Sequence, residues 1–296
     1  MSIQNARPTI WSAKILRALN TLLVFASPNV INRDYEGEVD EGGDTVKILT
    51  VGDVKIAAYT KDTDMAAPEA LVDAALTLAI DQQKAFNFAI DNIDTRQANT
   101  NLMEEATRRA AYGLAKDADE YVAKLWNQIA TANKLSTAFK NATSENIYKA
   151  IVECGVVLDE TDTPDDGRRF VVIPPAAVGN LQQDLRFVGY GTQANRRQLE
   201  TGLIGGTADS TAEFGYASGL IGEAAGFKVY QSNNVVKEAS KWKCIAGHPM
   251  GWSFVNNLSK VQAYEPPLRF SDAVKGLHVY GAKVVRPSQL AYFTTE

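Results

Sequence analysis

Apolar residues recur at helical spacing near the start of the chain. Trp11, Ile15, Leu19 and Leu22 fall three or four apart within Trp11–Phe25, which predicts an amphipathic helix that Pro28 ends. The period then changes. Val46 and Ile48 alternate with polar neighbours, Gly52-Asp53 follows, and Val54, Ile56 and Ala58 alternate again, so Thr45–Tyr59 reads as two strands about a tight turn. With roughly seven residues per strand the ribbon would reach about 23 Å. A two-stranded hairpin is marginal in water, so it needs cover from its own domain or from another copy. Leu78, Ile80, Phe86, Phe88 and Ile90 continue the extended pattern around Asp81–Lys84. Asn99–Asn101, with Glu104 three residues after Asn101, forms a capping box that opens a long helix. Met103, Ala106, Ala110, Leu114, Tyr121, Leu125 and Ile129 carry its stripe to about residue 130, despite the roughly 1 kcal/mol cost of Gly113, and the predicted helix is about 45 Å long.

Ser144 and Glu145 open a second helix, with Ile147, Ile151 and Cys154 on one face to about Leu158. The acidic stretch Asp159–Gly167 has Asp162 and Asp166 before Gly167, but Pro164 and Ile173 stand where a calcium loop needs ligands, so a solvated turn is expected. Phe170–Ile173 reads as a buried strand stopped by Pro174-Pro175, and Ala176–Leu185 as a short helix. Residues 186–226 are polar and Gly-rich, with Gly-Leu-Ile-Gly at Gly202–Gly205 and again at Gly219–Gly222; neither copy has the strand-to-helix context of a phosphate loop. Strands are predicted at Phe227–Gln231, Cys244–Gly247, Gly251–Val255, Lys260–Tyr264 and Leu277–Val285.

The 296 residues are 45% hydrophobic and 22% charged, with 21 Gly and 10 Pro, which excludes disordered and collagen-like classes. A net charge of −5 argues against tight sequence-specific DNA binding. Charge is segregated: Arg7, Lys14, Arg17 and Arg33 precede any acidic residue, whereas Asp34, Glu36, Glu38, Asp40, Glu41 and Asp44 follow with only neutral residues between them. That pattern suits contacts between copies, or simply two solvated faces of opposite sign. Cys154 and Cys244 lack any motif and read as buried thiols of a protein made in a reducing compartment. No apolar run approaches a membrane span, and Leu19–Ala26 reads as helix, with a secretory leader as the second reading. His248 and His278 lie in different strand regions without metal-ligand spacing and are expected to be structural, and no catalytic motif or cofactor site is expected.

Several segments resemble one family. They are Ile10-Trp11-Ser12-Ala13-Lys14-Ile15-Leu16, Asn32-Arg33-Asp34-Tyr35-Glu36-Gly37-Glu38, Gly43-Asp44-Thr45-Val46-Lys47-Ile48, Thr60-Lys61-Asp62-Thr63-Asp64 and Ala66-Ala67-Pro68-Glu69. Further along come Gly167-Arg168-Arg169-Phe170-Val171-Val172-Ile173-Pro174-Pro175, Gly226-Phe227-Lys228-Val229-Tyr230-Gln231-Ser232-Asn233-Asn234, and residues 276–287 from Gly276-Leu277-His278 to Val285-Arg286-Pro287. In order and wording these resemble the major capsid proteins of tailed double-stranded DNA bacteriophages with the Hong Kong 97 fold.

The resemblance implies an α+β chain with an N-terminal arm (1–33), an extended loop (34–76, hairpin about 45–59), a peripheral domain (77–143 and 251–296) whose spine helix is 101–130, and an axial domain (144–250). It implies many copies joined as hexamers and pentamers in an icosahedral shell around double-stranded DNA. Portal, scaffolding and decoration proteins are further partners, any scaffolding being expected from another chain. The location implied is the virion capsid, assembled in the host cytoplasm. The expected inter-subunit contacts are Trp11, Ile15, Leu19, Arg33, Asp34, Glu36, Glu38, Val46, Ile48, Val54 and Ile56; Arg7, Lys14 and Arg17 are expected to face DNA weakly. A compartment shell of the same fold enclosing a cargo enzyme is the alternative.

Overall fold

Alternation along four short strands explains the centre of the molecule. Phe170 and Val172 join one core cluster while Val171 and Ile173 join another; Ile245 opposes Cys244 and Ala246, Tyr230 opposes Val229, and Leu290 and Tyr292 oppose Ala291 and Phe293. A sheet apolar on both faces must be covered on both. The computed structural model describes residues 22–38, 45–51, 58, 61, 73–91, 102–139, 144–183, 219–267 and 271–295.

The strands are β1 (Thr45–Val51), β2 (Asp73–Ala79), β3 (Gln82–Asp91), β4 (Lys134–Phe139), β5 (Phe170–Ile173), β6 (Leu220–Ala224), β7 (Phe227–Gln231), β8 (Lys237–Glu238), β9 (Lys241–Gly247), β10 (Trp252–Tyr264), β11 (Ser271–Val284) and β12 (Leu290–Thr295). The helices are α1 (Leu102–Ala123), α2 (Ser144–Glu160) and α3 (Pro175–Gln182), with a 3-10 turn at Lys124–Gln128 continuing α1. The seven-stranded sheet runs β4-β12-β9-β5-β7-β6, with β8 beside β9. One face is covered by α2 and α3 through Ile147, Ile151, Cys154, Leu158, Val178 and Leu181. The other meets α1 through Leu114, Ala115, Ala118 and Val122, together with Leu23, Phe25 and Ile31. A second sheet, β10-β11-β3, is antiparallel, and β10 carries a register shift between Asn257 and Lys260.

Most predicted elements are present, with shifted limits. The long helix is 22 residues of α-helix, about 33 Å, before the chain tightens at Lys124. Its buried face is Ala111, Leu114, Ala115, Ala118 and Val122, offset from the predicted stripe. Gly251–Val255 and Lys260–Tyr264 are one strand. Strands β4 and β12 join the seven-stranded sheet, β12 lying between β4 and β9. The N-terminal helix prediction reaches its end too late: the chain leaves helix after Leu22 and turns, and its part before residue 22 lies outside the described residues.

Candidate functional site

The elements expected to join copies are the arm and the extended loop. The chain that follows the arm is embedded in the body: Leu23, Phe25, Ala26, Val30 and Ile31 are fully buried. Two backbone bonds close the turn there, from the Val30 and Ile31 N–H groups to the Ser27 carbonyl, each at 2.9 Å. Asp119 of α1 reaches up to it. Its Oδ2 accepts the Val24 N–H at 2.9 Å and its Oδ1 accepts the Ala26 N–H at 3.1 Å. Burial pushes this carboxyl up to about 6, against the pull of those N–H donors and of Asn234. Asn32 then bridges to Ser253 alongside β10, donating to the Pro249 and Trp252 carbonyls and accepting from Phe254. Residues 23–31, placed in the arm by the resemblance, are thus packed into the body.

Arg33 and Glu36, both expected between copies, pair with each other within the chain. The Arg33 Nε donates to Glu36 Oε1 at 2.7 Å, the guanidinium lies 5.8 Å over the Phe254 ring, and its side chain is 12% exposed. Burial raises the Glu36 carboxyl, and Arg33 opposes that rise. Asp34 is exposed, and its N–H donates to Asn32 Oδ1 at 3.0 Å. Glu38 ends the 3-10 turn Asp34–Glu38; its side chain, like Trp11, Ile15, Leu19, Arg7, Lys14, Arg17, Val54 and Ile56, lies outside the described residues.

The described partner of β1 is β2, in an antiparallel register running from Thr45↔Ala79 to Val51↔Asp73. The predicted Gly52-Asp53 turn and, Ala58 apart, the strand expected after it lie outside the described residues. Val46 and Ile48, predicted to meet a neighbour, are buried at the root of this loop with Leu78, Ile80 and Val255. Two further contacts seat that root on β11. Lys283 Nζ donates to the Thr77 carbonyl at 2.8 Å, and Gly281 leaves no room for a Cβ against the Ala79 carbonyl.

Surface patterns on the helices are mixed. On α1, Arg108 and Arg109 both pair with Glu105, whose carboxyl is lowered chiefly by the Arg109 hydrogen bond, and Tyr112 stands exposed one turn on. On α2, Val152 and Val156 are exposed beside the Lys149–Glu153 pair. Among the described residues no group of three or more His, Cys, Asp or Glu is placed to hold a metal ion. His248 is buried, bonded to Asp166 at 3.2 Å and accepting the Met250 N–H at 3.3 Å. His278 is buried between Asn256 and the Tyr280 ring, and burial lowers it to about 4. Both histidines therefore sit in structural positions. In the acidic stretch 159–167 the buried Arg169 is held by the loop, with Nη2 donating to Asp159 Oδ1 at 2.7 Å and to the Thr163 carbonyl at 2.6 Å.

Asp119 was missed from sequence. Its signal was a lone carboxylate on an apolar face, one turn beyond Ala115 and one before Val122. No helix of the described residues is long and apolar enough to cross a membrane.

The body thus buries both its own loop root and the chain that follows residue 22. A family model described as phage capsid protein matches residues 73–293. The chain belongs to that phage capsid protein family. A comparison with curated protein sequences finds no match. Among solved structures the capsid protein is similar to one titled Mycobacterium phage Che8, 27% identical over 90% of this chain and 89% of that one, with a TM-score of 0.65. It shares its fold with the capsid of Ralstonia phage GP4, 12% identical over 93% and 89%, TM-score 0.65. It also shares it with the holo-SrpI encapsulin complex from Synechococcus elongatus PCC 7942, 13% identical over 86% and 83%, TM-score 0.53. The α+β architecture of this capsid protein is thus the one used in phage shells, and its place is the virion capsid.

Proposed function

We propose that the chain is the major capsid protein of a tailed double-stranded DNA phage, assembling as hexamers and pentamers into an icosahedral shell around the genome, with a structural and not a catalytic role. The observation that carries this is the phage capsid family match across residues 73–293. The root of the extended loop sits on its own body, and the connection 52–72, with Val54 and Ile56, reaches a neighbouring copy. Trp11, Ile15 and Leu19 of the arm clasp another, with Asp34 and Glu38 at the rim. Standard contacts of about 1,600 Å², repeated by symmetry, give stability through multiplicity. Arg7, Lys14 and Arg17 meet packaged DNA without sequence preference, a contact weakened by salt. The peripheral part comprises β3, α1, β10 and β11, and the axial part the seven-stranded sheet with α2 and α3. Portal, scaffolding and decoration proteins complete assembly in the host cytoplasm.

Likeness to an encapsulin complex favours one second reading, a compartment shell around a cargo enzyme. Electron microscopy of particles purified from producing cells, followed by nuclease treatment, decides between them. Shells with nuclease-protected double-stranded DNA support the first reading. Shells holding a co-purified enzyme and no DNA support the second, and a chain that stays monomeric at every concentration overturns both.

A further inference from the structure

Asp119 lies on the buried face of α1 and is 1% exposed. An apolar residue there would join Ala115, Ala118 and Val122 in the core at no desolvation cost, whereas a buried carboxylate costs several kcal/mol unless its lone pairs are occupied. They are occupied by the main chain. Oδ2 accepts from Val24 and, at 3.4 Å, from the Asn234 side chain, while Oδ1 accepts from Ala26. The apolar side chains Leu23, Phe25 and Ile31 hold this turn in the core without direction, because hydrophobic burial is non-directional. Two N–H groups on the two oxygens of one carboxylate set its orientation as well. Through Asn234, which follows β7, the same carboxylate also ties this turn to the seven-stranded sheet.

We propose that Asp119 is the positioning residue of the arm: by gripping the backbone at Val24 and Ala26 it fixes the point and direction at which residues 1–21 leave the body, and so where they meet a neighbouring copy. The proposal rests on the shell reading above. A merely structural carboxylate would support folding whether or not the arm were present; a positioning one acts only through the arm.

The test combines Asp119→Asn with deletion of residues 1–21, singly and together, in the otherwise intact chain. Asp119→Asn keeps the size of the side chain and one acceptor, and replaces the other with a donor. We expect folded subunits in which amide exchange at Val24 and Ala26 speeds up about tenfold or more, the scale of losing a hydrogen bond to a charged group, while amides of β5 keep their protection. Shell yield should fall about tenfold in the intact chain and show no further fall when the substitution is added to the arm deletion. Unchanged exchange at Val24 and Ala26 would overturn the proposal. So would an equal loss of shells from the substitution in both backgrounds, which marks a structural role. An arm deletion that assembles like the intact chain removes the arm from the shell reading and overturns the positioning role with it. Failure of the unsubstituted chain to form any shell is a different result, and it strikes the shell reading itself. If Asp119→Asn does not fold, Asp119→Ser, which keeps a short acceptor and removes the charge, is measured in its place against the same expectations.

Discussion

Trp252 donates its indole N–H to the Val30 carbonyl at 2.7 Å, joining the start of β10 to the turn that follows the arm. The same ring lies flat on Phe170 of β5, centroids 5.6 Å apart, so one fully buried side chain connects the turn, the antiparallel sheet and the seven-stranded sheet. Trp252→Phe should keep the stack and strand the carbonyl, costing about 1–3 kcal/mol. Trp252→Ala should cost about 3–5 kcal/mol. Urea unfolding of the subunit checks both, and a Phe variant as stable as the parent would show that the Val30 bond contributes nothing.

Ile48 should behave as a core residue and not as an assembly contact. It is 2% exposed, next to Leu78, Ile80 and Val255. Ile48→Asp places an uncompensated charge there, at a cost of about 3–5 kcal/mol, so the yield of folded soluble subunit should drop before assembly is reached. A folded variant defective only in shell formation would return Ile48 to an interface.

Two buried groups pull acid stability in opposite directions. His278 has its folded value lowered from 6.5 to about 4 by burial, so the unfolded chain binds more protons between those values. The contribution of His278, about 3 kcal/mol, is complete above pH 6.5 and is lost as pH falls toward 4. Asp119 has its folded value raised from 3.8 to about 6, so the native chain binds more protons, and a similar contribution is complete below pH 3.8 and lost as pH rises through 6. Around pH 5 the two slopes offset. Relative to the parent, His278→Gln should make stability fall with rising pH across this window and Asp119→Asn should make it rise. Denaturant melts at pH 4, 5 and 6.5 read this directly, and parallel pH profiles for the two variants would contradict it.

Arg169 organises the acidic stretch after α2. Its side chain is 4% exposed and donates to Asp159, the Thr163 carbonyl and, through Nε at 3.1 Å, the Pro164 carbonyl. A lysine keeps the charge but cannot present that planar fork, so Arg169→Lys should cost about 1–3 kcal/mol. Thermal unfolding of the subunit measures it; an unshifted midpoint would show that charge alone suffices.

The parts of this fold legible in the sequence are those whose cause is local. The second helix starts at the predicted Ser144, and β5 is matched residue for residue, because its apolar run is bounded by Arg169 and Pro174. Strands β4 and β12 escaped, since Lys134–Phe139 and Leu290–Thr295 gain their extended form from pairing with each other across the chain. The loop root shows the same limit: β1 pairs with β2, a strand distant in the chain, and the burial of Val46 and Ile48 against Val255 that rewards this pairing is not a local signal. Charge segregation singled out Arg33 and Glu36 but did not reveal that, three residues apart, they form an ion pair within the chain.

The placement of β12 has a consequence for biosynthesis. This strand occupies an interior slot, flanked by β4 and β9, although it is the last of the described strands to emerge from the ribosome. Until Thr295 has left the exit tunnel both flanking strands carry an unfilled edge, and such edges are templates for mispairing. Between the emergence of β9 and that of β12 a nascent chain therefore carries this open edge, and a chaperone that shields β9 in that interval would raise yield more than one that acts on finished subunits.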